Sequence, residues 1–316
     1  MKTWIPKRPP SKGATAYHNA VVNTSWHKEN VKELINLIQE KIKPHDRIVD
    51  FGAGTGSSAM YLLKYLKPTS KLLLVDNSPS WLTKAYNLLH LNKRVQFFLL
   101  EKKGDDYMTL DELIGKTTAS HIVSANTIHL IPNIEKVFRD IYSVLKNNGT
   151  FTFQSGNIIQ PNKENGILTI DDSINAVHDI ALEIIRTNRA FRKYKKGLDR
   201  RIEEQNHQRK FVFPAPRPVK FYLDALKSVG FKNESITRKR IKVKYKDWLN
   251  FLKVRRLQAG ILPEVGGKDA SEIEEKDRDT IITQASLMLF KRLKVKNPLS
   301  NARSFTAEWI YVYAEK

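Results

Sequence analysis

No cysteine occurs in the 316 residues. Disulfides, thiolate zinc sites and cysteine nucleophiles are therefore excluded, including the covalent route to carbon 5 of a pyrimidine. The compartment stays open, because a chain without cysteine suits any of them. Long apolar runs are also missing: none approaches the ~18 residues that a membrane span requires. Met1 to Gly13 carries Lys2, Lys7, Arg8 and Lys12 but no apolar signal-peptide core, and reads as a mobile arm on a soluble, cytoplasmic protein. Acidic residues are scarce, 33 Asp and Glu against 54 Lys and Arg, which leaves a net charge of +21. Such an excess attracts nucleic acid, phosphorylated substrates or an anionic membrane surface; it also simply solubilises a lysine-rich chain.

The rest of the composition is that of a globular protein, 41% hydrophobic and 28% charged, so a buried core is expected. Val31, Leu34, Ile35, Ile38 and Ile42 share one face of a helix over 30–42. Arg47 to Phe51 reads as a short buried strand that stops at Gly52, and a helix follows over 57–66. Lys71 to Val75 is a second strand, and Ser78-Pro79 opens a helix that runs to about Leu91. Strands follow at Val95–Leu100, His121–Ala125 and Thr150–Gln154. Between the last two lies a helical stripe of Ile134, Val137, Phe138, Ile141 and Leu145, ended by Asn148-Gly149.

Beyond residue 156 the pattern changes. Residues 172–209 read as helix with a basic run from Arg186 to Arg201, and Pro214, Pro216 and Pro218 break the chain. A helix over 219–228, a strand over 235–245, helices over 247–259 and 271–293 and a strand over 308–314 complete the reading. Seven strands alternating with helices predict an α/β fold with a doubly wound, mostly parallel sheet and helical insertions in the C-terminal half. The expected division is an arm or lid over 1–29, a core over 30–158, a helical insertion over 159–216, and a C-terminal part over 217–316.

The chemistry concentrates in Val49-Asp50-Phe51-Gly52-Ala53-Gly54-Thr55-Gly56. A strand delivers an acid, then a glycine turn lets the backbone approach a ligand at a helix amino terminus. The spacing is G-x-G-x-G after Asp, not the G-x-G-x-x-G of nicotinamide sites. Val75-Asp76-Asn77-Ser78 stands about 20 residues on, at the end of the second strand, where a carboxylate can accept both hydroxyls of a ribose. A sugar-nucleotide or NAD-binding domain is the alternative reading of these two pieces.

Together they resemble motifs I and II of the class I S-adenosylmethionine (AdoMet)-dependent methyltransferases, in particular the small-molecule branch that includes the ubiquinone and menaquinone C-methylating enzymes. The resemblance covers residues 30–158 well and the last hundred loosely. It implies the Rossmann-like methyltransferase fold, AdoMet as cofactor and methyl transfer as activity. By the family pattern Gly52, Gly54 and Gly56 would lie under the methionine and ribose of the cofactor. Asp50 would orient the methionine amino group, Asp76 would hold the ribose hydroxyls and Asn77 would sit near adenine. Where the family places Gly-Asp after the third strand this chain has Leu100-Glu101, so Glu101 would take the adenine amine; Asp105 and Asp106 are alternatives, as is a solvated acid beside Lys102 and Lys103.

The fourth strand ends in Ser124-Ala125-Asn126-Thr127-Ile128-His129, resembling the segment where cofactor and acceptor meet. Asn126 would lie nearest the sulfonium. His129 reads either as a general base or as a packed turn residue. Tyr17 could close on the methionine end as part of a lid, or anchor the arm. No Asn-Pro-Pro-Tyr element follows the fourth strand, which argues against amino methylation of bases or glutamine by that route. The acceptor implied is a small molecule, anionic or lipophilic; RNA or protein methylation, or non-catalytic binding of AdoMet or nucleic acid, are the alternatives. No metal is expected. Phe191, Phe211, Phe213, Phe221, Tyr222, Trp248 and Phe251 are candidates to line the acceptor pocket or to fill cores.

Overall fold

Strands β1 (Arg47–Phe51), β2 (Lys71–Asp76) and β3 (Val95–Leu99) are buried almost throughout, as strands covered on both faces must be. A computed structural model, which describes residues 3–161, 163–296 and 303–316, joins them to β4 (Ala119–Ala125), β5 (Leu145–Ser155), β6 (Lys232–Lys244) and β7 (Ser304–Glu315). The sheet order is β6-β7-β5-β4-β1-β2-β3. The parallel register runs Arg47↔Lys71, Ile48↔His121 and Leu72↔Val95, and β7 pairs antiparallel with β5, with Ile310↔Ser155. This is the mostly parallel α/β sheet that the alternation of strands and helices predicts. The order reverses between β1 and β4, and the turns after those strands open onto that switch point.

The chain divides into two compact units. The first comprises residues 1–160, 217–239 and 309–316. On one face of its sheet, α6 (Ile134–Val144) turns Ile134, Phe138, Ile141 and Val144 inward, while α9 (Val219–Val229) contributes Val219, Tyr222 and Leu226 to the same core. Phe138 meets Phe151 edge-on at 5.4 Å. The opposite face is covered by α2 (Ser25–Asn36), with Val31, Leu34 and Ile35 buried.

The amino-terminal region departs from expectation. Helix α2 starts at Ser25 and ends at Asn36, ahead of a 3₁₀ turn at Gln39–Lys41, because the Thr24 hydroxyl caps it by accepting the His27 N–H. A further helix, α1 (Lys12–Val21), precedes it and is capped by Ser11. The stretch expected to be a mobile arm is held instead: the Trp4 N–H donates to Phe97 O at 2.7 Å, and the Phe97 N–H donates to Thr3 Oγ1 at 2.9 Å. The open edge of β3 supplies those groups. Met1 and Lys2 lie outside the described residues.

The second unit comprises residues 161–216 and 240–308. The single helix read over 172–209 is broken into α7 (Ile170–Thr187), a 3₁₀ stretch (Arg189–Tyr194) and α8 (Leu198–Val212). Asn188 caps the 3₁₀ stretch, and Gly197 adopts φ +69° before α8. The three remaining helices are α10 (Tyr245–Leu252), α11 (Arg255–Ile261) and α12 (Glu272–Lys296). Part of the basic run is committed internally: Arg186 pairs with Asp199 at 3.0 Å, Lys193 with Asp277 at 2.7 Å, and Arg201 Nε donates to Glu264 O at 3.0 Å. Phe191, Trp248 and Phe251 are buried, and Phe211 is 80% exposed. Among the described residues no helix is long and apolar enough to cross a membrane, and no group of three or more His, Asp or Glu side chains could hold a metal ion.

Phe138 joins the two aromatic strand positions to the helical layer. Phe138→Ala is expected to lower stability by about 3–5 kcal/mol, read from the urea midpoint at unchanged m-value.

Candidate functional site

The site grows from the turn after β1. The Gly52 and Ala53 N–H groups both donate to Val75 O, at 2.8 and 3.1 Å, which bends the chain off β1 and across β2. Gly52 adopts φ +72°, and a Cβ there would lie 2.3 Å from Thr127 Cγ2. No other residue fits, because the turn after β4 occupies that space. The Thr127 hydroxyl donates to Gly52 O at 3.2 Å, so the two turns at the switch point are bonded to each other. At Gly56, φ +77°, a Cβ would stand 3.0 Å from Ala85 Cβ on α4 (Pro79–Leu89). That closeness seats α4 directly beneath the loop.

Asp76 ends β2 and organises the loop. Its Oδ2 accepts the Gly54 N–H at 2.7 Å and its Oδ1 accepts the Ser78 N–H at 2.8 Å. Both carboxylate oxygens are thus engaged, one on the glycine turn and one on the start of α4. Asp50 is held differently. It is buried at the carboxyl end of β1, and its Oδ2 has no hydrogen-bond partner among the described residues. Burial, with the negative charge of Asp76 second, pushes its carboxyl up to about 7.

Helix α1 packs over this turn. His18 Nδ1 lies 3.0 Å from Thr55 Oγ1, and burial lowers the His18 pKa, with Lys84 a lesser cause. The Tyr17 and Trp81 rings meet at 4.6 Å, and Trp81 covers Gly54, whose absent Cβ would lie 3.2 Å from Cε3. Asn77 is exposed on the rim beside Asp76.

Asn126 closes β4 with φ +53°; its N–H donates to Gln154 O at 3.0 Å, and its Oδ1 accepts the Trp309 Nε1–H at 3.3 Å. Trp309 in turn stacks on Trp26 at 5.9 Å. The turns carrying the three glycines and Asn126 are thus tied together through Asp76 and Thr127, Asp50 stands near the end of β1 beside them, and Tyr17 packs on Trp81 above Gly54.

Two candidates stand apart from it. The Glu101 side chain is exposed and lines a recess of about 430 Å³ with Thr3, Trp4, Ile5, Phe98, Leu99, Met108 and Leu113. Asp106 is ion-paired to Lys136. His129 sits in a 3₁₀ turn, Ile128–Leu130, with Nδ1 2.9 Å from Ser155 Oγ and its carbonyl accepting from Arg217 at 3.1 Å. Burial, and secondly the Arg217 charge, lowers its pKa to about 4. The ring is neutral at pH 7 and only weakly basic.

Sequence reasoning passed over Trp81, Thr55 and Trp309. Trp81 had a signal, as the third helical residue after the acid of β2; Trp309 had none, because an aromatic in an apolar strand reads as core.

A family model described as "Methyltransferase domain" matches residues 49–151. A probable S-adenosylmethionine-dependent methyltransferase of Saccharomyces cerevisiae is 29% identical over 138 residues, 41% of this chain and 44% of the yeast protein. A carboxy-S-adenosyl-L-methionine synthase of Nautilia profundicola is 30% identical over 149 residues, 46% of this chain and 59% of that protein. The chain thus spans about half the length of these curated relatives. Among solved structures, a Haemonchus contortus phosphoethanolamine N-methyltransferase 2 with S-adenosyl-L-methionine superposes with TM-score 0.50 at 17% identity, over 96% of this chain and 56% of that one. A putative sarcosine dimethylglycine methyltransferase from Galdieria sulphuraria gives 0.50 at 10%, over 97% and 98%. At these identities the structural likeness speaks to the fold.

Asp50 gives a direct test of the site's electrostatics. Between pH 4 and 7 the unfolded chain ionises this carboxyl while the folded protein keeps it protonated. The folded state therefore binds more protons, and its stability falls as pH rises through that window. Asp50→Asn is expected to stabilise the ligand-free protein by about 2 kcal/mol at pH 8 and not at pH 4. Thermal melts of both proteins at the two pH values check it.

Proposed function

We propose that this protein, whose residues 49–151 match a methyltransferase-domain family model, binds AdoMet and transfers its methyl group to a small-molecule acceptor. The observation that carries the reading is the Asp76 carboxylate, fixed at the end of β2 by the Gly54 and Ser78 amides, beside a buried Asp50 oxygen that has no hydrogen-bond partner among the described residues. These residues fit the cofactor. Asp76 would accept the ribose hydroxyls, Asp50 would take the amino group, and the glycine turn would lie against the chain between them. Asn77 would sit at the adenine rim. Glu101 is too exposed to be assigned a strong adenine contact, and a backbone amide on the rim serves as well.

Held by Asp76, Asp50 and the glycine turn, the cofactor would supply a methyl group activated on a sulfonium, with the neutral thioether as leaving group. Such a displacement depends chiefly on alignment. What this chain contributes is rigidity: Thr127 locks the turn after β4 to Gly52, and Trp309 fixes the Asn126 amide. With its pKa near 4, His129 is a poor proton acceptor, and we read it as positioning the turn through Ser155 and Arg217. An acceptor that loses its proton readily, or to solvent, suits this site.

We further propose that the acceptor is anionic or lipophilic and that the protein works in the cytoplasm. Positive charge is spread over both units and not concentrated in one, which favours general solubilisation over a nucleic-acid track. Methylation of RNA or protein remains the second reading and would bring a steep dependence of affinity on salt.

Calorimetric titration with AdoMet should give one saturable site and titration with NAD none. Asp76→Ala is expected to weaken AdoMet by about 100-fold or more, through loss of both ribose bonds and loop anchorage. A folded sample that ignores AdoMet would sink the proposal.

A further inference from the structure

Successive side chains on β5 alternate across the sheet. Phe151 and Phe153 enter the core with Phe138, so Thr152 and Gln154 face the other side, where α2 packs. Gln154 is fully buried, yet neither its Oε1 nor its Nε2 has a hydrogen-bond partner among the described residues. The same holds for Thr152 Oγ1. Across the sheet the register partner of Gln154 is Tyr311, whose hydroxyl donates to Asn30 Oδ1 at 2.7 Å. Asn30, from α2, is fully buried too, and its Nδ2 is left without a partner. Asp50 lies on this face as well, aligned through Val123 with Thr152, and its Oδ2 is likewise unpaired.

Buried polar atoms are paired in the great majority of cases, because an unmade bond forfeits what water would have given. A cluster of them beside the glycine turn therefore points to a ligand. The unpaired atoms also sort by chemistry. Asp50 Oδ2, once ionised, and Gln154 Oε1 only accept, whereas Gln154 Nε2 and Asn30 Nδ2 only donate. One compact group satisfies both sets, an ammonium beside a carboxylate.

We infer that Gln154 and Asn30 read the carboxylate of an α-amino acid end group whose ammonium is taken by Asp50. The inference rests on the cofactor proposed above, whose methionine portion is such a group. Position agrees with chemistry, since Gln154 O accepts the N–H of Asn126 at the end of β4, next to the turn that Thr127 bonds to Gly52. Asn30 comes to this group of atoms from α2, through its bond to Tyr311.

Two probes separate the contributions. S-adenosylhomocysteine carries the amino acid end; 5′-methylthioadenosine keeps the adenosyl thioether and lacks it. The full chain is expected to prefer the first by about 100-fold in calorimetry. Gln154→Leu should reduce that preference to about tenfold or less while leaving methylthioadenosine affinity unchanged within about twofold. Asn30→Asp, which sets a negative charge against the carboxylate, should do the same. If Gln154→Leu does not fold, Gln154→Glu keeps the shape and carries the same expectation. A Gln154→Leu protein that melts higher and retains the full preference overturns the inference and makes Gln154 an ordinary core residue. Failure of both probes to bind the wild-type chain would instead remove the cofactor assignment on which the inference stands.

Discussion

Asp76 accepts one backbone amide from the turn after β1 and another from the start of α4, at 2.7 and 2.8 Å, and the geometry of the site follows from that pair of bonds. Each bond to an ionised oxygen is stronger than its neutral counterpart. Together they hold the glycine turn open against its own conformational freedom, which is largest where glycines are most frequent. With the turn fixed, Thr127 has a carbonyl to reach, Trp81 has a flat backbone to cover, and α1 has a surface on which to rest His18 and Tyr17. Without it, the left-handed glycines 52, 54 and 56 would rest on the bonds to Val75 and Thr127 and on packing against Trp81 and Ala85.

The two acids of the site contrast in a way that their chemistry does not suggest. Asp76 accepts two backbone amides; Asp50, one strand away, is buried, has no partner on Oδ2 among the described residues and is driven toward neutrality. The difference is one of supply. Gly54 and Ser78 point their N–H groups at β2, and none is left for β1. A charged partner brought from outside would reverse the situation of Asp50 and relieve its repulsion with Asp76.

Much of this was legible in the residues, and the pattern of what was not is instructive. The seven strands and the G-x-G-x-G turn were readable because apolar runs, glycine spacing and the acid at the end of β2 are local signals. The break between α7 and α8 was not, since Asn188 and Gly197 act through caps and a left-handed φ inside a run that otherwise looks uniformly helical. Helix α1 was hidden for a similar reason: Ser11 caps it, but its apolar face is short and was read as an arm. Gln154 and Asn30 illustrate a stricter limit. A glutamine in a strand and an asparagine in a helix carry no mark of burial; only the register of β5 with β7 brings them to one face. His129 shows the reverse, a residue type that invites a chemical role and whose burial, with the Arg217 charge second, leaves it weakly basic.

The two rims of the sheet are guarded by different means. At β3 the strap of Thr3 and Trp4 occupies the backbone groups of Phe97, whereas β6, last in the sheet order at the other rim, carries Lys232, Arg238, Lys239, Lys242 and Lys244 along its length. Charge on an edge strand repels a second strand, and a strap replaces it. The colloidal behaviour of the protein is thereby divided between salt and sequence: added salt screens the guard at β6 and leaves that at β3 untouched. Crowded, high-salt solutions would therefore bring molecules together through one rim only, as pairs and not as filaments.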